Sequence, residues 1–311
     1  KVNDFEKNFA ERMGTTNALA VSSGTAALRV ALAALQIEKN AEVLAPSFTF
    51  VATYEAIIES GCVPVVVNVD NTLNIDPTEL EASITDQTKA VIVVHMLGVP
   101  ARLSEIAEIC KRHKIYMIED TAWGCGGSHS GKPLGTWGDV GTFSFDFAKT
   151  ITTGEGGMVV CKDNTVAERA AAWHDHGHEN NPNYPRWEDT RSGSGFNFRM
   201  SELQGAVGIA QLKKLDTIVE AQREASLRLQ NALSKIPSIE FRDVPTGGFE
   251  TADALIFLVP TPEKAKKCRE QLINSGFSTK ILPEAYTWHF AGCWEHMPSL
   301  SQKPNFDLFN K

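Results

Sequence analysis

The stretch SFDFAKTITTGEGG, residues 144–157, is the most informative part of this 311-residue chain. It places the amine of Lys149 at the end of an apolar run, five residues after Ser144 and just before a loop with three glycines. Most lysines are solvated surface charges, but this one lies in a setting where a surface lysine would be unusual. Partial burial would lower the pKa of the amine and make it available as a nucleophile.

Two further clusters of functional residue types precede this stretch. Ser22-Ser-Gly-Thr25 follows an apolar run and opens a helical pattern, so its N–H groups and the Thr25 hydroxyl could face an anion. An ordinary N-cap with a flexible glycine is the alternative. Glu119 and Asp120 end another apolar run, and ligands bind beyond the carboxyl ends of strands in open α/β sheets. A helix N-cap or a structural acid is the alternative there.

Short apolar runs alternate with amphipathic stretches through the first two thirds of the chain. The predicted strands are 18–21, 42–45, 64–67, 90–94, 116–118, 141–145 and 157–160, and the predicted helices are 25–35, 50–60, 77–83 and 103–113. Strands that alternate with helices of this length predict an α/β fold with a mainly parallel sheet covered on both faces.

The last third of the chain has a different pattern. Residues 200–233 predict one long helix, residues 254–259 a strand, residues 262–275 a helix that Gly276 ends, and residues from 283 onward a loop. We therefore expect a large domain over residues 1–205. The long linking helix and a smaller α+β domain would occupy residues 206–311.

Composition excludes several classes of function. Hydrophobic residues make up 42% and charged residues 22% of the chain, and the net charge is −8, which does not favour a nucleic-acid partner. No apolar run is long enough to predict a membrane span, and the chain does not open as a signal peptide. The six cysteines are scattered without a CxxC pair, which indicates reduced thiols in a cytoplasmic protein.

The three clusters together indicate one kind of chemistry. An amine that can form an imine, a carboxylate that can hold a ring nitrogen and small hydroxyl residues that can hold a phosphate are what a pyridoxal phosphate (PLP) enzyme needs. Each cluster is a weak signal alone. They occur in order along the chain, with Lys149 following Asp120 by 29 residues, and their joint occurrence is a strong signal.

With these motifs the chain resembles the DegT/DnrJ/EryC1/StrS family of sugar aminotransferases, which have the fold-type I PLP architecture. The resemblance covers nearly the whole chain. The supporting stretches are residues 17–28, 46–50, 119–122, 138–141, 144–157 and 195–200.

The resemblance implies a role for individual residues. Lys149 would carry the cofactor as an imine and move the proton between cofactor and substrate, and Asp120 would pair with the pyridine nitrogen. The remaining cofactor contacts would be Gly24, Thr25 and Ala26 in the phosphate loop, Ser144 as an additional phosphate ligand, Phe50 stacked on the ring, and Asn197. Asn197 would reach the phosphate of a neighbouring subunit, which implies a homodimer with shared sites.

The chain departs from the family pattern at one cofactor position. Trp123 stands where the family usually carries Gln or His near the ring oxygen of the cofactor. A dehydratase branch replaces the lysine with His, so the retained Lys149 favours amino transfer. The chain also looks shorter than family members at both ends, and we expect the C-terminal domain to be incomplete.

Within the family, the stretches 173–182 and Trp288-His289 are most similar to enzymes that aminate C8 of a 3-deoxy-octulosonate for lipopolysaccharide, with glutamate as amino donor. Such a sugar acid needs a cationic pocket, and the candidates are Arg186, Arg191 and Arg199. Further candidate substrate residues are His95, His174, His176, His178, Trp288 and His289. The spacing of the three histidines at 174–178 also fits a metal site, but no carboxylate cluster completes one, and we expect no metal.

Two other functions stay open from the sequence. The first is amino transfer to a nucleotide-linked keto-sugar. The second is a non-catalytic regulator or binding protein with the PLP fold, against which the intact set of Lys149, Asp120 and Ser144 argues.

Overall fold

The structure is a computed structural model that describes residues 1–191, 193–284, 286–297 and 300. Its strands are β1 Ala18–Val21, β2 Glu42–Pro46, β3 Val63–Val67, β4 Thr88–Val94, β5 Tyr116–Asp120, β6 Ser128–His129, β7 Lys132–Pro133, β8 Val140–Ser144, β9 Gly157–Cys161, β10 Glu240–Phe241, β11 Gly248–Phe249 and β12 Phe257–Leu258. Its α-helices are α1 Val2–Met13, α2 Gly24–Ala34, α3 Val51–Glu59, α4 Pro77–Ala82, α5 Leu103–His113, α6 Asn164–His174, α7 Glu202–Leu212, α8 Leu215–Leu233, α9 Pro262–Asn274 and α10 Tyr286–His289.

Seven of these strands form one sheet in the order β1-β9-β8-β5-β4-β2-β3. The pairs from β3 to β8 are parallel, whereas β9 pairs antiparallel with both β8 and β1. Each strand predicted in the first 160 residues lies in this sheet with ends within two residues of the prediction. The predicted α/β class and the mainly parallel sheet are therefore confirmed.

Both faces of the sheet are buried, because successive side chains of a strand point to opposite sides. In β4, Ile92 and Val94 join a cluster with α2 and α3, while Val91 and Val93 join a second cluster with α4 and α5. A third cluster packs α1 and α8 against the β8–β9 end of the sheet. The carboxyl ends of β4, β5 and β8 consequently meet at one edge of a three-layer core.

The prediction of a single helix over residues 200–233 is wrong. The chain forms α7 and α8, which are separated at Lys213 and Lys214. In α8, Leu215 and Val219 pack into the third cluster, where both are almost fully buried. Packing of these two residues therefore overrides a helical pattern that has no sequence breaker.

The C-terminal part differs from its prediction in two places. Within residues 254–259, only Phe257–Leu258 is a strand, and it pairs antiparallel with β10. The region from residue 283, predicted as loop, contains α10, and Phe290 and Trp294 pack into the first cluster beside α2 and α3. The helix predicted at 262–275 is confirmed as α9, which Thr261 caps and a proline begins.

Among the residues that the structure describes, no helix combines the length and apolar character needed to cross a bilayer.

Replacing Phe9 by Ala should strongly destabilise the fold. Phe9 is fully buried, and its ring lies 4.9 Å from that of Phe143 and 5.7 Å from that of Phe145. We expect a loss of about 3–5 kcal/mol in the free energy of unfolding, measured in urea. The matched control is Phe277→Ala, because Phe277 is 60% exposed and its loss should cost no more than about 0.5 kcal/mol. Equal losses in the two variants would contradict this account of the core.

Candidate active site

The first turn of α2 and the end of β8 lie in close contact and form a cradle. Ser23 caps α2, and its side chain accepts a hydrogen bond of 3.0 Å from Ala26 N. A Cβ atom on Gly24 would lie 2.8 Å from Ser144 Cβ, so only glycine lets the helix approach the serine this closely. The Ser144 side chain thus lies beside N–H groups that have no acceptor within the helix, as phosphate binding requires.

Asp120 ends β5 on the same edge of the sheet and is almost fully buried. Its carboxylate accepts hydrogen bonds from Thr53 Oγ1 at 3.1 Å and from Ala122 N at 3.2 Å. Burial raises the pKa of Asp120, an effect that the Ala122 N–H and the nearby Lys149 oppose. A protonated ring nitrogen is the group that would compensate a buried carboxylate in this position, so Asp120 fits the predicted cofactor.

Glu119 points to the opposite side of β5 and is fully buried. Its carboxylate accepts hydrogen bonds from the backbone N–H groups of Gly135, Trp137 and Gly138 at 2.6–2.8 Å. The ring of His95 supplies a fourth contact, with Nε2 at 3.0 Å from Glu119 Oε2. The structure therefore gives Glu119 the role of a structural acid, one of the alternatives that the sequence left open for this strand end. It joins β5 to His95 and to the 135–138 segment.

His95, a candidate substrate residue from the sequence, is fully buried at the end of β4. Its Nδ1 accepts a hydrogen bond of 3.1 Å from Ala101 N, so its proton is on Nε2 and is donated to Glu119. Its backbone N–H donates to Asp120 O at 3.1 Å. Both ring nitrogens therefore have partners inside the protein, which indicates a structural role for His95 rather than a contact with substrate.

Lys149 lies in the turn after β8, and its side chain extends over the indole of Trp123. The distance from Nζ to the ring centroid is 3.4 Å. Burial lowers the pKa of Lys149, and the carboxylates of Asp120, Asp146 and Asp253 oppose this effect. The structure therefore brings the predicted amine and the predicted carboxylate together. Asp253 was missed, because nothing around it in the sequence resembles a site motif.

The α10 region contains two predicted residues, of which His289 interacts with this amine. The His289 side chain is buried, and burial together with the charges of Lys280 and Lys149 lowers its pKa to about 4, so its imidazole is neutral at neutral pH. Trp288 is 59% exposed, and its ring lies 5.5 Å from Lys280 Nζ. The backbone of His289 accepts a hydrogen bond from Thr49 N at 2.9 Å, next to Phe50, which is exposed at the start of α3.

The predicted substrate arginines have partners within the chain. Arg186 Nη2 lies 2.9 and 3.0 Å from the two carboxylate oxygens of Asp175, and Arg199 also binds Asp175. Burial would raise the pKa of Asp175, but the two arginines outweigh it and hold the pKa below its usual value. Arg191 contacts His178 Nε2 at 3.1 Å. The sequence did not indicate Asp175 as the centre of this group.

The three histidines of the 174–178 segment do not converge. His174 is half-buried and burial lowers its pKa, His176 is exposed in a left-handed backbone conformation, and His178 Nδ1 lies 3.3 Å from Asp189. Within residues 1–191, 193–284, 286–297 and 300, no three His, Cys, Asp or Glu side chains form a group that could hold a metal ion. Asn197 is exposed and pairs with Asp175 through the backbone, close to the start of α2, since Phe198 O accepts from Ser22 N at 2.8 Å.

Comparison with known proteins agrees with this geometry. Residues 1–305 match the DegT/DnrJ/EryC1/StrS aminotransferase family. The chain belongs to this family. The predicted fold type, the aminotransferase class and PLP as its cofactor are therefore confirmed.

Individual relatives cover most of the chain. A GDP-perosamine synthase from Escherichia coli O157:H7 is 35% identical over 305 residues, which are 97% of this chain and 79% of that protein. A GDP-perosamine synthase from Vibrio cholerae is 36% identical over 237 residues, 76% of this chain and 63% of that protein. Among solved structures, the E. coli GDP-4-keto-6-deoxy-D-mannose-3-dehydratase with bound hydrated PLP has a TM-score of 0.83 and 28% identity, covering 90% of this chain and 77% of that one.

Replacing Gly24 by Ala should weaken cofactor binding. The new methyl group would push Ser144 out of the cradle, because the two Cβ atoms would be only 2.8 Å apart. We expect the dissociation constant for PLP, measured by absorbance titration, to rise about tenfold or more. Gly193→Ala is the control, since a Cβ there meets nothing within 4 Å. Unchanged PLP affinity in the Gly24 variant would show that this cradle does not hold the phosphate.

Proposed function

We propose that the protein transfers an amino group from glutamate to a keto-sugar that is carried on a nucleotide. The observation that supports this substrate is the similarity to a GDP-perosamine synthase over 97% of the chain. Glutamate as the donor and a cytoplasmic location stay predictions from the sequence.

Each part of the site has a task in such a reaction. When bound, PLP supplies an electron sink for negative charge that develops on the reacting carbon. Asp120 would hold the ring nitrogen protonated, and Ser144 with the first turn of α2 would hold the phosphate. Lys149 would carry the cofactor and then move a proton at the reacting carbon, which requires an amine whose pKa burial has lowered.

The free sugar acid predicted from the sequence has less support. Its carboxylate would need an available arginine, but Arg186 and Arg199 both bind Asp175, and Arg191 contacts His178. The reported relatives with nucleotide sugars in their names favour the alternative that the sequence left open. Dehydration is disfavoured, because the dehydratase branch is expected to carry His where this chain has Lys149.

A second copy of the chain is the partner we infer for one exposed surface. On α7, the side that carries Gly205 and Gly208 packs against α1, whereas Leu203 and Val207 are 82% and 43% exposed. Phe147, two residues before Lys149, is also exposed. Apolar side chains grouped near a site usually mark an interface, and a homodimer with shared sites would cover them.

The substrate class can be decided in a single turnover. Protein in the pyridoxamine phosphate form would be mixed either with a GDP-linked 4-keto-sugar or with the free C8 aldehyde of a 3-deoxy-octulosonate. We expect the nucleotide sugar to consume the pyridoxamine form at least about tenfold faster, because remote binding energy is used at the reacting carbon. The readout is the cofactor absorbance.

Lys149→Ala is the control for this experiment. It should slow the consumption by about 100-fold to 10,000-fold, the usual contribution of a proton-transferring group. Faster reaction with the free acid would overturn the proposed nucleotide-linked substrate and would favour the octulosonate substrate predicted from the sequence. Full turnover without the lysine would overturn the role of Lys149 itself.

The dimer is tested by Leu203→Asp. An acid in the first turn of α7 favours the helix, so the variant should fold, but burying the carboxylate in an interface should weaken association about 30-fold or more. Leu229→Asp on α8, where the side chain is also exposed, is the matched control. Sedimentation velocity measures both, and a monomeric unaltered chain would refute the inference.

A further inference from the structure

The contact between Lys149 and Trp123 is unusually close for a lysine above an aromatic ring. Nζ lies 3.4 Å from the centroid, compared with 5.1 Å for Lys132 above Trp137 and 5.5 Å for Lys280 above Trp288. The face of an indole ring attracts a cation, and the attraction grows when water is excluded. The partly buried ammonium group therefore rests on a surface that favours its charged form.

The backbone of Trp123 is held by a residue that is distant in the sequence. Thr251, which is fully buried, donates its hydroxyl to Trp123 O at 3.2 Å and its N–H to Gly98 O at 3.1 Å. Ala252 then adopts a left-handed conformation with φ of 54°, and the chain reaches Asp253. One short segment thus fixes the backbone that carries the indole and also supplies a carboxylate close to the same amine.

We propose that Trp123 is a positioning residue that holds the free Lys149 ammonium group on its ring face, beside the carboxylate of Asp253. This inference rests on the proposed role of Lys149 as the reacting amine. Whenever that amine is not bonded to the cofactor, the ring and the carboxylate keep it in one place and next to Asp120. Trp123 thus acts through the lysine, which its ring face contacts.

Burial and the charged groups that face Lys149 change its pKa in opposite directions. Burial lowers the pKa of the amine, whereas Asp120, Asp146 and Asp253 raise it. His289 is neutral and adds no charge at neutral pH. A ring face that favours the ammonium form also raises the pKa, so removal of the ring should lower it. Such a balance suits a group that has to accept a proton and then return it.

The experiment measures the pH dependence of Lys149 acetylation by a trace of acetic anhydride, read by mass spectrometry of the peptide that contains Lys149. It is done on the full chain freed of cofactor and repeated in the pyridoxamine phosphate form. Trp123→Leu should move the midpoint of labelling to lower pH by about 0.5–1.5 pH units. Trp123→Phe keeps a ring and should stay close to the unaltered protein.

The control is Tyr116→Leu, which removes an exposed ring at the opposite end of β5 from Asp120 and should leave the midpoint unchanged. If Trp123→Leu does not fold, as judged by circular dichroism, Trp123→Gln also removes the ring and takes its place. Asp253→Asn should shift the midpoint in the same direction. An unchanged midpoint in the ring-free variant would overturn the proposal, whichever substrate the enzyme uses, because no substrate is present in this measurement.

Discussion

The site depends on the buried carboxylate of Glu119, which accepts hydrogen bonds from four N–H groups. An unpaired charge with no exposed surface would be very costly, so the donors from His95 and from the 135–138 loop must stay in place. These donors come from the end of β4 and from the segment that leads into β8. Because successive residues of a strand face opposite sides, the hydrogen bonds that fix Glu119 also fix the direction of Asp120. The position of the acid in the site is therefore determined from the other side of the sheet.

The sequence predicted those parts of the fold that local patterns determine. The buried parallel strands are short apolar runs, and their ends were predicted within two residues. The break at Lys213 and Lys214 could not be predicted, because both residues are compatible with a helix and only the packing of Leu215 and Val219 decides. Phe290 and Trp294 follow a stretch without any regular period, so their place in the core could not be inferred either.

The same distinction holds for the site. Lys149, Asp120 and Gly24 could be predicted as site residues because each lies in a local motif at the end of a strand or the start of a helix. Asp253 reaches the site only because distant segments are tied together. Asn74 is fully buried, donates to Val99 O and Pro100 O, and accepts from Met96 N and from Arg242. These hydrogen bonds hold the turn after β4, in which Gly98 O accepts a hydrogen bond from Thr251 N. No sequence pattern shows such a connection.

The pairing of Arg186 and Arg199 with Asp175 bears on which anion the enzyme can bind. The side chains of Arg186 and Arg199 are 56% and 40% exposed, so their attraction to Asp175 is weakened by water and is open to competition. The backbone of Arg199 pairs with Val21, shortly before the start of α2. An entering anion must compete with a carboxylate that already has two partners. A diphosphate, with two charges and more acceptor oxygens, competes better than the single carboxylate of a sugar acid. The electrostatics of this group are thus compatible with the nucleotide-linked substrate proposed above.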